Sequence, residues 1–420
     1  MKNVLTMLLS AAAILAAEPA QELVEMAKSS PQSAAFRERL MTFTKAEDRK
    51  AGRGWAGHLG DFVFAVDTTS PPSFFFDESA GGKPVRLKDS DTWIVTAAGA
   101  TGRSHNYYWV VDGKPLLAAP LMLPNDVPAF GPLSYDKPGV PQGVVSEKIV
   151  HTSAIYEGMK ADYWVYIPAQ YDGATAAALM VWQDGEKYTT RPGSSRLLTV
   201  LDNLMHEKKI PVAIQIFISP GLIGQRRMRS VEYDSVDDKY ARYLRDEILK
   251  EVEAKYKIRK DGYSRFIAGE SSGAICAFTV AWFHNEHFTR VLSRIGSYTS
   301  IQWDPWKKEG GNIYPFLVRK SERKNIRVWM SDGHNDLENN HGSWPLQNIA
   351  LANSLKMKEY DHHFVFGSAQ HNTQHGNSEL PEALTWLWRG YDATRTAETY
   401  AMDPAEKTKP YWRVKTLNRE

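Results

Sequence analysis

Residues 269–273 read Gly-Glu-Ser-Ser-Gly, so Ser271 has a glycine two positions before it and two after it. That spacing suits a nucleophilic hydroxyl held on a tight strand-to-helix turn, where a larger flanking side chain would clash. The string is short enough to recur by chance, so its surroundings carry the inference. The apolar stretch "SRFIAGE" (264–270) precedes Ser271, and "AICAFTVAWF" (274–283) follows it. A strand before and a helix after expose the hydroxyl at the carboxyl edge of a sheet. Ser271 is the expected nucleophile. Ser272 lacks the flanking pair, but its backbone N–H opens the helix and is placed to hold an oxyanion.

A nucleophilic serine needs a base, and the base needs an orienting acid; on this kind of turn the chain order is serine, acid, histidine. "IRVWMSDGHND" sets Gly333-His334-Asn335-Asp336 directly after a strand, which makes Asp336 the expected acid. Asp332 ends the strand and can point into the sheet edge, and Glu338 is the reserve. "FVFGSAQHNTQHG" offers His371 as base, in a polar loop between a strand at 362–367 and the helix "PEALTWLW". A second oxyanion donor belongs in the loop after an earlier strand, and "MVWQDGEKY" fits, with the N–H of Gly185. The same Asp-Gly pair also suits an ordinary turn.

Six of the twelve histidines fall within 334–375: His334, His341, His362, His363, His371 and His375. His371 and His375 have helical spacing, yet no glutamate follows His371 as a zinc-protease motif requires, and the segment reads as loop. No metal ligand is expected, and His375 is expected to shape the loop that carries His371.

The elements that position these residues alternate between strand and helix. Strand candidates lie at 161–169, 178–184, 211–219, 264–270, 326–332 and 362–367. The clearest helix is 236–256, where Tyr240, Leu244, Ile248, Val252 and Tyr256 recur every four residues. That alternation indicates α/β architecture around a largely parallel sheet. Upstream the texture differs. Residues 18–50 look helical and polar, and four short β-rich runs between 61 and 116 suggest a small β-sandwich. Residues 123–143 are rich in proline and read as a stiff, extended connector. The expected division is a leader at 1–17, an N-terminal module at 18–145, a catalytic domain at 146–395 and a polar tail at 396–420. The module is expected to fold separately and to wall one side of the neighbouring cleft.

The bulk composition excludes some partners. A formal net charge of +2 in 420 residues gives nucleic acid no electrostatic handhold. The start, "MKNVLTMLLSAAAILAAEPAQ", has the layout of a cleaved secretory signal and is too short for a comfortable membrane span. The protein is therefore expected in the periplasm or outside the cell, without a stable membrane anchor. The single cysteine, Cys276, rules out an internal disulfide and reads as a buried core residue. Thirteen Trp and 19 Tyr are many, and some of them suit a sugar- or aryl-binding cleft.

With these residues in place, the chain resembles the esterase D and enterochelin-esterase-like family of α/β-hydrolases, whose relatives include feruloyl and acetyl xylan esterases. The resemblance covers about 150–390. It rests on "VWQDGEKY", "FIAGESSGAICAF", "MSDGHNDLENNHGSWPLQN" and the late histidine loop. It implies a mostly parallel α/β-hydrolase sheet preceded by an immunoglobulin-like β-sandwich. It implies Ser271, Asp336 and His371 as catalytic residues, with Ser272 and Gly185 as backbone oxyanion donors. Where the family has Gly-Gly-His, this chain has Ala369-Gln370-His371. The implied activity is hydrolysis of carboxylic esters on a small molecule or glycan, such as feruloyl or acetyl groups, without a cofactor. Siderophore trilactone hydrolysis is the alternative within the family, and a carbohydrate-binding protein on a hydrolase scaffold is the alternative outside it.

Overall fold

The structure, a computed structural model, describes residues 20–117, 123–191 and 193–413. The leader expected at 1–17 lies outside the described residues. In the N-terminal region, helices α1 (Gln21–Ser29) and α2 (Ala34–Phe43) precede five principal strands. These are β1 (Asp61–Asp67), β2 (Ser73–Phe76), β3 (Thr92–Ala98), β4 (Arg103–Val111) and β5 (Asn125–Ala129). Strands β1 and β3 share one antiparallel sheet; β2, β4 and β5 share another.

Alternation along β1 explains why it sits between two layers. Phe62, Phe64 and Val66 join Phe74, Tyr107 and Trp109 of the opposite sheet in one apolar cluster. Val63 and Ala65 point the other way, onto Leu23, Val24, Phe36 and Leu40 of the two helices. Both faces are therefore covered.

Strand β5 corrects the sequence expectation of a connector. Its residues pair with β4 along the outer edge of the second sheet, with Asn106 opposite Asp126. Pro124 and Pro128 disguise it, because proline cannot donate to a ladder and is confined to such edges.

The C-terminal half is built on an eleven-stranded mixed sheet. Its main strands are β6 (Lys160–Ile167), β7 (Ala178–Gln183), β8 (Ala213–Ile218), β9 (Arg265–Glu270), β10 (Arg290–Arg294), β11 (Arg327–Asn335) and β12 (Asp361–Gln370). Their spatial order is β6-β8-β7-β9-β10-β11-β12. Every pairing from β8 to β12 is parallel, while β6 runs antiparallel to β8. The antiparallel margin at β6 qualifies the mostly parallel sheet expected.

Strand β10 escaped the sequence reading because arginine occupies both its ends. Arg290 is fully buried, with its guanidinium 4.7 Å from the Tyr263 ring centre and 4.5 Å from that of Trp388. Aromatic faces take the place of water there. The helix expected at 236–256 contains a wider turn, Leu244–Ile248, between two α-helical pieces. A four-residue repeat drifts around a 3.6-residue helix, and the wider turn keeps Tyr240, Leu244, Ile248 and Val252 buried together.

Three helices matter for the site: α3 (Ser272–Phe283), α4 (Trp344–Met357) and α5 (Gln374–Trp388). Helix α5 starts seven residues before the proline that marked its expected beginning, and Pro381 lies inside it. His375 is therefore helical, not part of a loop. The tail is anchored as well as polar: Tyr400 is buried, and the Trp412 ring meets Phe364 edge-on at 5.1 Å. Among the described residues, no helix is long and apolar enough to cross a membrane.

Candidate active site

Strand β9 ends at Glu270 and helix α3 begins at Ser272, which leaves Ser271 alone on the turn. Its backbone adopts φ 56° and ψ −122°, an unfavourable conformation for a residue with a side chain. The flanking glycines make it possible. A Cβ on Gly269 would lie 2.1 Å from the carbonyl of Gly273, and one on Gly273 would lie 3.0 Å from Gln183 Cβ. Backbone packing thus forces the hydroxyl of Ser271 outward.

The hydroxyl of Ser271 meets His371 Nε2 at 2.9 Å. His371 Nδ1 meets Asp336 Oδ1 at 2.6 Å, and the Leu337 N–H donates to the same oxygen at 2.5 Å. The structure thus brings together three residues from the ends of β9, β11 and β12, which lie on one edge of the sheet. Glu338 takes no part in this chain of bonds. Asp332 is fully buried beside Asp336. Burial, and then the neighbouring Asp336 carboxyl, push the Asp332 carboxyl well above the ordinary carboxylate range.

Several contributors gave no signal in the sequence. Ser297 Oγ lies 3.1 Å from Ser271 Oγ and accepts from Trp344 Nε1 at 3.1 Å. Counting protons, Ser271 donates to His371 and Ser297 donates to Ser271. The Trp344 ring also stands edge-on to His371, 5.7 Å between centres. Glu270, inside the serine motif, is buried between Arg294 at 2.6 Å and Lys187. Burial alone would raise its pKa, but Arg294 and Lys187 more than offset that and hold it below the ordinary range. These residues are scattered along the chain and no spacing ties them together. Only the position of Glu270 between Gly269 and Ser271 could have drawn attention.

Gly185 begins the turn after β7, the strand beside β9. A Cβ there would lie 2.3 Å from the Ile218 nitrogen, so only glycine fits. The turn is held by Arg229, whose guanidinium binds the Asp184 carboxylate through two bonds of 2.7 and 2.8 Å. It touches the serine turn: a Cβ on Gly273 would stand 3.1 Å from Asp184 Oδ2. The N–H of Ser272 opens helix α3 and has no carbonyl four residues back within the helix. Its side chain lies beside the buried Asp234 carboxyl, whose pKa burial pushes up to about 6. The second serine of the motif therefore faces another neighbour.

His375 stays apart from Ser271 and lies 3.5 Å from Glu379 in the next turn of α5. Among the described residues, the group with ligand atoms close enough to hold a metal ion is His284, Glu286 and His287, outside the 334–375 cluster. Cys276 is buried in α3, and burial drives its thiol pKa well up.

Residues 156–387 match the family model described as "Putative esterase". Among solved structures, the enterobactin esterase of Shigella flexneri in the presence of enterobactin has a TM-score of 0.55 at 16% identity, over 86% of this chain and 99% of that one. The ferric enterobactin esterase of Salmonella typhimurium gives 0.50 at 16% identity, over 82% of this chain and 99% of that one. A ferulic acid esterase from the anaerobic fungus Anaeromyces mucronatus gives 0.47 at 16% identity, over 61% of this chain and 94% of that one. A comparison by sequence with curated proteins finds no match. The enterobactin esterases share the fold. The family model covers more than half of the chain, which therefore belongs to this esterase family and is a carboxylic ester hydrolase of α/β-hydrolase-like fold.

Proposed function

We propose that Ser271, His371 and Asp336 are the catalytic triad of this esterase. The observation that carries the proposal is the continuous chain of hydrogen bonds from Ser271 through His371 to Asp336. Ser271 Oγ attacks the ester carbonyl carbon while His371 Nε2 takes its proton. The N–H groups of Ser272 and Gly185 receive the oxyanion of the tetrahedral intermediate. Collapse expels the alcohol, protonated by His371, and leaves an acyl group on Ser271. Water, activated by the same histidine, then releases the acid. No cofactor enters.

The favoured substrate is an acyl ester on a glycan, such as a feruloyl or acetyl ester. Supporting it are Trp303, 53% exposed, and Trp306, fully exposed, on the loop beyond the carboxyl end of β10. That loop is tied to the Asp336 side by Ser300, which donates to the His341 carbonyl. Exposed indole faces suit sugar or aryl rings. A siderophore trilactone is the second reading, favoured by a likeness to enterobactin esterase that extends over the N-terminal region. We read the two N-terminal sheets as an immunoglobulin-like sandwich, and residues 1–17 as a cleaved signal that takes the enzyme to the periplasm or the medium.

A fluorophosphonate probe tests the triad. It should label the wild-type protein and not Ser271→Ala, whose kcat should fall by about 10³-fold or more. Ser272→Ala should cost far less. Equal losses from the two serines, or a labelled Ser271→Ala, would sink the assignment. A panel of feruloyl, acetyl and trilactone esters then separates the substrate readings.

A further inference from the structure

The residues on either side of His371 are held from outside the C-terminal half. Gln370 Nε2 donates to the carbonyl of Pro124. Asn372 Nδ2 donates to Asp126 Oδ2 at 2.9 Å. One step back, the Ser368 carbonyl accepts from Asn106 Nδ2 at 3.4 Å and from Asn335 Nδ2 at 3.1 Å. Pro124, Asp126 and Asn106 all belong to the N-terminal region. Asn106 and Asp126 sit opposite each other on the paired strands β4 and β5. They present one two-strand surface to the loop.

The loop has little support of its own. Between the end of β12 at Gln370 and the start of α5 at Gln374 lie three residues, His371, Asn372 and Thr373. Asn372 is the joint. Its backbone N–H turns back to the Gln370 carbonyl at 2.7 Å, and its Oδ1 accepts from the Gln374 N–H at 3.0 Å. Its one remaining side-chain group, Nδ2, goes to Asp126. Asn372 thus joins the strand end, the helix start and the N-terminal region around the histidine.

We propose that the N-terminal region is the positioning element for His371, acting through the Asp126–Asn372 bond and the Pro124–Gln370 bond. This rests on the triad reading above and goes beyond it. The region expected to wall the cleft also sets where the general base stands. Asp126 acts through Asn372 on the histidine. The carboxylate of Asp126 is a stronger acceptor than a neutral group would be. A base displaced by about 1 Å can cost on the order of 10²-fold in rate, so losing this hold reads out in kcat.

The experiment uses the full chain with Asn372→Asp, Asp126→Asn and the double swap. Asn372→Asp puts two carboxylates face to face and should lower kcat and the fluorophosphonate labelling rate together by about tenfold or more, with KM and Tm little changed. Asp126→Asn keeps an acceptor and should cost less. The double variant restores one amide and one carboxylate with the direction of the bond reversed. It should return kcat to within about threefold of wild type. A purely structural bond would move Tm and leave the labelling rate of the folded protein alone. Unchanged kcat and labelling in Asn372→Asp, or a double variant that folds and is not rescued, would overturn the proposal. Ser271→Ala serves as the control: activity surviving in it would reject the triad, whereas its loss beside a normal Asn372→Asp would reject only the positioning role.

Discussion

The two halves of the site are built in different ways. On the Ser271 side, the geometry comes from backbone packed against backbone. Gly269 leaves no room for a Cβ against the Gly273 backbone, a Cβ on Gly273 would crowd the Gln183 and Asp184 side chains, and Ser271 between them stands at a positive φ. On the His371 side, the geometry comes from side-chain hydrogen bonds to a different part of the molecule. Sterics within a few residues tolerate no adjustment and need no partner. Polar bonds between distant segments are individually weaker, about 0.5–1.5 kcal/mol net for a neutral pair, and can be tuned or lost one at a time. The supports of Ser271 should therefore respond to substitution through folding, and the supports of His371 through rate.

The largest effect should come from Gly269→Ala. Its methyl group would lie 2.1 Å from the Gly273 carbonyl, deep inside contact distance of backbone that cannot swing away. Overpacking of this kind costs about 1–3 kcal/mol where a core can yield and more where it cannot. The expected outcome is a poorly folded protein or a sharply lowered Tm, with activity lost through folding. A Gly269→Ala variant with the wild-type Tm would mean that the serine turn is not held as described.

Next comes Glu270→Gln. Arg294 and Glu270 are only 3% and 5% exposed at their side chains, so removing the carboxylate leaves buried cationic charge without its partner. Breaking such a pair costs about 3–5 kcal/mol. The pH dependence has a definite sign. Burial opposes ionisation of Glu270, but Arg294 and Lys187 prevail and depress its folded pKa. Its stabilisation is therefore present above the unfolded value, about 4.3 for glutamate, and is lost as pH falls through the folded one. The gap in unfolding free energy between wild type and Glu270→Gln should be widest near neutrality and should narrow on acidification. A gap independent of pH would show that the carboxylate is not the group responsible.

The same contrast decides what could be read from the sequence. The serine turn was legible because its requirements are local: two glycines, a preceding strand and a following helix all lie within twenty residues. The order of Ser271, Asp336 and His371 was legible because each follows a strand. The supports of His371 were not. Asn106, Asp126 and Asn372 are ordinary polar residues that only the fold brings together. Strand β5 was hidden by Pro124 and Pro128, and strand β10 by Arg290 and Arg294, whose charges are normally signs of exposure. The aromatic rings around Arg290 and the carboxylate on Arg294 come from remote segments. Pro381 misplaced the start of α5, since proline is usual in a first helical turn and costly later. Taken as the helix start, Pro381 leaves His375 in a loop, whereas the helix already begins at Gln374.

The smallest effect concerns His375 and tests the histidine side at its finest grain. His371→Ala should be nearly inactive, because it removes the group that takes the serine proton. His375 lies in α5 near Glu379, away from Ser271, so His375→Ala should keep activity within a few-fold, and a chelator should change nothing. The small residual loss has a predicted route. Burial raises the Asp126 carboxyl above its ordinary value, while the Asn372 bond and the charge of His375 pull it down. Without His375 that pull on Asp126 is lost, and a carboxyl that holds a proton is a weaker acceptor for Asn372 than a carboxylate. The loss in His375→Ala should therefore disappear when the same change is made on an Asp126→Asn background, where there is no proton to gain. Measuring kcat for the two single variants and the double variant checks this. Additive losses would disconnect His375 from the Asp126 contact. An inactive His375→Ala, with turnover in the wild type abolished by chelator and restored by zinc, would move the chemistry from His371 to a metal.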